Sequence, residues 1–194
     1  MNPTHSNVYG PIDCDITILN DCEDFGEARL LRTESGLVLN IAVDGLRKGH
    51  VFTVWWIVFN NPGACSAPGC GADDLGDPDV NATVIWATGF ATTRSGIGKG
   101  RTTAAHVTAV LNEGDLPPEP FGLPGDDDGL EDATVAEIHA VIRSHGPTRK
   151  RLVNEQMTTF GGGCIGNDVE GSIPRRKGQC ADILFLIFLG PLLA

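Results

Sequence analysis

A chain of 194 residues with 41% hydrophobic side chains has the length of one large domain and enough apolar surface for a packed core, which excludes global disorder. Its formal net charge of -11 repels phosphate backbones and anionic bilayers, so nucleic acid is disfavoured as a partner. No polar linker long enough to separate two cores is present, and the sequence divides into an irregular arm over residues 1–28 and a single domain over 29–194.

The arm is acidic, with Asp13, Asp15, Asp21, Glu23 and Asp24 around Cys14 and Cys22. From Arg29 the pattern turns to strands. Leu37, Leu39, Ile41 and Val43 form one apolar face by period-two alternation, and Asp44-Gly45 marks a turn. The β-branched and aromatic run from Val51 to Phe59 ends at Asn60-Asn61-Pro62, where strand chemistry gives way to turn chemistry. Trp55 and Trp56 are consecutive in that strand and must face opposite sides, one into the core and the other outward or under the 112–132 loop. A long loop over 60–80 carries Pro62, Cys65, Pro68, Cys70 and aspartates 73, 74, 77 and 79, a length that calls for a function or a tether.

Thr83–Phe90 and Thr102–Leu111, separated by a glycine-rich segment, read as an antiparallel pair. A second acidic loop over 112–132 is punctuated by prolines and glycines that argue against a regular element. The next strand sets Ala136, Ile138, Ala140 and Ile142 on one face and Glu137, His139, Val141 and Arg143 on the other. Helical periodicity is weak and confined to Asp132–His139. The last strand, Ala181–Phe188, is apolar on both faces and runs into Leu189–Ala194, yet it is shorter than the roughly 20 residues of a bilayer span. Six or more short strands joined by turns predict an all-β protein, an antiparallel Ig-like or Greek-key β-sandwich with long acidic loops.

Six cysteines in Gly-, Pro- and Asp-rich regions suggest disulfides and a secreted or periplasmic location. Of the 15 pairings six cysteines permit, Cys14–Cys22, Cys65–Cys70 and Cys164–Cys180 close the shortest loops. The alternatives are buried free thiols and zinc, although the spacing of Cys65 and Cys70 is wider than a usual zinc knuckle. Met1–Tyr9 has neither a basic start nor an apolar core, so an export signal would have to be removed or missing from this sequence.

The segments Gly49–Pro62, Ala136–Pro147, Asn154–Cys164 and Cys180–Asp182 together resemble a group of uncharacterised exported bacterial β-sandwich proteins, over about residues 29–188. The His-Gly-Pro turn at 145–147 is also faintly similar to chordin-repeat (CHRD) domains. The resemblance implies secretion and a sandwich fold, without an assigned activity. The final strand departs from it, since alternation is expected there.

His106 and His139 each lie on the less apolar side of a strand. If those strands are neighbours, the two imidazoles with Glu137 or His145 suit copper or zinc; otherwise they are ordinary polar residues on a solvated sheet face. An outward Trp55 or Trp56, flanked by Glu137 and Arg143, can stack on a sugar ring. The aspartate clusters at 73–79 and 126–132 offer oxygens for calcium but lack EF-hand order, and a solvated loop is the simpler reading. Ser144-His145 is adjacent without a nucleophile elbow, and Gly96-Ile-Gly98-Lys-Gly100 lacks the phosphate-loop frame and reads as a hairpin turn. Asn81-Ala-Thr83 is a glycosylation acceptor in a host that glycosylates. These features favour a secreted, non-catalytic binding or structural role at or outside the cell envelope, with an envelope, glycan or protein partner. A metal- or carbohydrate-binding module is the first alternative, and a hydrolase using Glu137, His139 or His145 as base is the second.

Overall fold

A computed structural model describes residues 5–7, 26–93, 102–165 and 174–190. The strands are β1 (His5–Asn7), β2 (Gly26–Thr33), β3 (Gly36–Arg47), β4 (His50–Phe59), β5 (Ala82–Ala91), β6 (Thr102–Asn112), β7 (Glu137–Pro147) and β8 (Ala181–Phe188). A six-residue helix, α1 (Val153–Thr158), precedes β8. Among the described residues all pairings are antiparallel, in two four-stranded sheets of order β1-β2-β3-β6 and β5-β4-β7-β8. The protein is therefore the all-β sandwich that the alternation predicts.

Period-two alternation sends Leu30, Leu37, Leu39, Ile41 and Val43 inward from the first sheet, where they meet Phe52, Val54, Trp56, Ile138 and Ile142 from the second. Trp56 is fully enclosed in this core. Arg32, only 2% exposed, is a buried charge on the same face of β2 as Leu30. From β2 its guanidinium donates to the carbonyls of Ala133 and Ala136, both at 2.8 Å, and to those of Phe188 at 3.2 Å and Leu189 at 3.4 Å. It thus ties the first sheet to the entry of β7 and the end of β8.

The two sheets differ on their outer sides. β6 alternates exposed and buried positions, as a one-sided strand should, with Thr108 and Val110 open to solvent. Every residue of β7 except Pro147 is buried, and in β4 only Ile57 is not. Packing of the 60–80, 112–132 and 148–165 segments over the second sheet explains this. Cys70, Val80 and Leu75 cover Phe59, while Leu123 and Phe160 cover Trp55 and Val141. The unbroken apolar run from Val51 to Phe59 is the sequence of a strand enclosed on both faces. The same cover explains β8, whose two apolar faces stand where alternation is expected: Leu186 and Phe188 enter the core while Phe185 packs outward against the Trp55 group.

Three expectations are corrected. β5 and β6 are not a pair: β5 pairs with β4 and β6 with β3, so the chain changes sheets between them. A helix forms at Val153–Thr158, where the sequence shows no helical periodicity, while in Asp132–His139 turns lead directly into β7, the strand expected there. Strand structure begins at Gly26, and a short strand, β1, already occurs in the arm.

Candidate functional site

The outer face of β7 presents Glu137, His139, Val141, Arg143 and His145 in succession, and all five are buried. A solvated polar face is therefore not what these residues form. They make up a polar layer between the second sheet and its covering loops.

Each polar side chain has a defined partner. Glu137 Oε1 accepts from the Cys70 backbone N–H at 2.8 Å and lies 2.7 Å from His139 Nε2. The His139 ring also packs edgewise on Phe59, with centroids 4.9 Å apart. The Cys65–Cys70 disulfide thus closes the 60–80 loop directly above the Glu137–His139 pair. Arg143 Nη1 donates to Asp182 Oδ1 at 2.7 Å and Nε to the Phe160 carbonyl at 2.9 Å, with the guanidinium 4.0 Å above the Phe160 ring.

His145, 0% exposed, has its Nδ1 2.9 Å from the Gly162 carbonyl, which can only accept, so Nδ1 carries the proton. Nε2 is then free to accept from the Thr53 hydroxyl at 2.9 Å, and the Thr53 oxygen accepts from Trp55 Nε1–H at 2.7 Å. A chain of donors thus runs from Trp55 through Thr53 and His145 to Gly162. Gln156 Nε2 donates to the His145 carbonyl at 3.1 Å, anchoring α1 to the same strand. A Cβ at Gly89 would overlap the Met157 carbonyl, so glycine is required where α1 crosses β5.

The Cys164–Cys180 disulfide lies against this imidazole, with Cys164 Sγ 3.7 Å and Cys180 Sγ 3.9 Å from Nδ1. Among the described residues, His145, Cys164 and Cys180 form a group whose ligand atoms all lie within 4.8 Å of one another. Both observed disulfides match the shortest-loop pairing, while Cys14 and Cys22 lie outside the described residues.

The structure does not bring His106 and His139 together. β6 and β7 belong to different sheets, and His106 is exposed on the outer side of the first, in a shallow groove of about 270 Å³ with Glu27, Arg29, Asn40 and Thr108. The copper or zinc pair imagined on neighbouring strands is corrected accordingly. Trp55 is 1% exposed beneath Phe121 and Phe160, in edge contacts of 5.7 and 5.4 Å, and Trp56 is in the core, so neither ring has a free face for a sugar. Ser144 and His145 point to opposite sides of β7, and Ser144 Oγ accepts from Gly146 N–H at 3.3 Å.

Carboxylates of the two acidic loops serve to close them. Asp74 accepts from the backbone N–H groups of Ser66 and Gly71, and these bonds hold its carboxyl below the ordinary range. Asp126 accepts from Gly122, Leu123 and the Thr83 hydroxyl. The Thr134 hydroxyl and N–H likewise lower the Asp132 carboxyl. Asn81, half-buried at the surface, donates to Asp128 and Glu131, and Thr83 is fully buried, so both ends of the glycosylation acceptor are engaged by the fold. The glycine-rich 96–100 turn lies outside the described residues.

Sequence reasoning missed Thr53, Asp182, Gln156 and Arg32 as participants. The Arg143–Asp182 contact is a directly opposed cross-strand pair, legible once β8 is placed beside β7. Nothing local marks Arg32 and Gln156, whose partners are backbone groups of other segments, and the Thr53 hydroxyl, though bonded to Trp55 two residues on, owes its role to the distant His145. No helix among the described residues is long and apolar enough to cross a membrane. No protein-family model, curated protein or solved structure matches the chain.

Proposed function

We propose that this protein is a non-catalytic binding or structural module that works in an oxidising compartment at or outside the cell envelope. One observation carries the reading: the second sheet is closed by the chain's own loops, one stapled internally by Cys65–Cys70 and one tied to the start of β8 by Cys164–Cys180, while the outer face of the first sheet is open, with Glu27, Arg29, Asn40, His106 and Thr108 exposed beside Val110. Partner contact is therefore assigned to β2, β3 and β6, where Glu27, Arg29, Asn40, His106 and Thr108 line the groove. Disulfides are stable in such compartments and are rare where thiols are kept reduced. The hydrolytic alternative is weaker, because Glu137, His139 and His145 are 3%, 6% and 0% exposed and their hydrogen bonds are made within the fold.

Cosedimentation of native protein with isolated envelope material, alongside a glycan panel, tests the assignment. Retention that is lost in an Asn40→Lys/Thr108→Glu variant is expected. Retention unchanged by that substitution, or free thiols titrating at Cys65 and Cys70 in natively purified material, would overturn it.

A further inference from the structure

We infer that the Cys164–Cys180 disulfide is one state of a two-state site, whose reduced form binds a single zinc-class divalent ion through both thiolates and His145 Nδ1. This inference is independent of the binding-module reading and stands or falls separately.

The first argument is geometric. Tetrahedral zinc with bonds of about 2.3 Å to sulfur and about 2.0 Å to nitrogen requires sulfur–nitrogen edges of roughly 3.5 Å and a sulfur–sulfur edge of roughly 3.8 Å. The two sulfurs lie 3.7 and 3.9 Å from Nδ1, within about 0.4 Å of that edge. The larger movement left is for the sulfurs to part, and reduction allows it. Two thiolates and an imidazole are the donor set that borderline-soft zinc takes, with the fourth position left to water.

The second argument is preorganisation. Ser144 of β7 pairs with Ala181 of β8, which brings Cys180, the residue just before β8, beside His145. Cys164 is held by bonds that reduction leaves intact. Arg143 Nε donates to the Phe160 carbonyl at 2.9 Å, Arg149 Nη1 to the Gly163 carbonyl at 2.9 Å, and Ile165 N–H to the Gly178 carbonyl at 2.7 Å. Third, the imidazole has an orienting partner on its far side. When Nδ1 turns to the metal its proton moves to Nε2, and Nε2–H then donates to the Thr53 oxygen, the outer contact that metal-bound histidines characteristically make. The Gly162 carbonyl gives up its donor in exchange.

The chemistry balances as two steps. A dithiol gives two electrons and two protons to the Cys164–Cys180 bond and leaves as its own disulfide, producing two thiols. Binding of the divalent ion then releases those two protons and forms two metal–sulfur bonds and one metal–nitrogen bond. Cys164 is half-buried and Cys180 buried, so attack by the dithiol falls on Cys164 Sγ.

The test uses the whole chain, reduced with dithiothreitol, desalted without oxygen and titrated with cobalt(II) as a spectroscopic probe. Expected are the intense visible bands of tetrahedral cobalt and a sulfur-to-cobalt charge-transfer band, absent from the oxidised protein. Because the other cysteines are also reduced, the deciding comparison is a Cys164→Ser/Cys180→Ser variant, in which this signal disappears. Thr53→Val keeps the signal but weakens zinc affinity by about 10- to 100-fold. If the double variant does not fold, alkylation mapping of the reduced native sequence decides: zinc should protect Cys164 and Cys180. Failure of the reduced protein to give the cobalt spectrum, an equal signal in the double variant, or alkylation of Cys164 and Cys180 undiminished by zinc would overturn the inference.

Discussion

Replacing Arg32 by methionine removes the guanidinium that joins the two sheets while keeping a long apolar stem in its place. The change leaves four carbonyls without this donor, two of them bonded at 2.8 Å. Hydrogen bonds to a charged group contribute about 1.5–3 kcal/mol each, so the two short ones alone amount to about 3–6 kcal/mol. Relief of a buried charge offsets part of this, and a loss of about 3–5 kcal/mol is expected. At about 2–4 °C per kcal/mol for a chain of this size, the melting temperature should fall by roughly 6–20 °C. Urea unfolding followed by tryptophan fluorescence measures it directly, and Arg32→Lys should recover no more than part of the loss, since one ammonium cannot span four carbonyls. A methionine variant within about 0.5 kcal/mol of the native protein would refute the role given to Arg32, because that is the range of an ordinary surface substitution.

Thr53→Val is nearly isosteric but deprives Trp55 Nε1 and His145 Nε2 of their shared hydroxyl; a loss of about 2–4 kcal/mol in the same urea assay is expected. Gly89→Ala forces α1 away from β5 by overlap with the Met157 carbonyl, so Trp86, whose Nε1–H donates to that carbonyl, should become more accessible to acrylamide quenching. Asp74 has a folded pKa below its unfolded value, so its stabilising contribution is complete above about pH 3.8 and fades as pH falls through the lowered folded value. Asp74→Asn should therefore flatten the acid limb of the stability profile, and a limb unchanged in shape would count against the assignment.

The two-sheet architecture was legible because alternation in Leu37–Val43 and Ala136–Arg143 is a local property that a strand expresses wherever it is placed. Pairing is not local. Nothing in Thr83–Phe90 or Thr102–Leu111 says that β5 and β6 lie in different sheets, because each strand carries the alternation of its own sheet and not the identity of its neighbour. The polar face of β7 was correctly grouped as Glu137, His139 and Arg143, yet its burial depends on three loops whose own sequences look solvated. Those loops fold over because carboxylates such as Asp74 and Asp126 satisfy their backbone N–H groups internally. The sequence marks His145 as a neighbour of Ser144 and as a metal ligand beside His106 and His139, whereas its consequential neighbours, Cys164 and Cys180, are 19 and 35 residues away in the chain.

β8 is the outermost strand of its sheet, and Ile183–Phe188 is an uncharged six-residue stretch of the kind that adds readily to a growing fibril. The sulfur bridge at Cys180 sits immediately before it and fastens its leading end to the covering segment. With that bridge open, the leading end of β8 depends on its ladder with β7 and on the Arg143–Asp182 contact, so the same cross-link guards against self-association as well as against unfolding. A metal ion gripping the two sulfurs would restore the guard by other means.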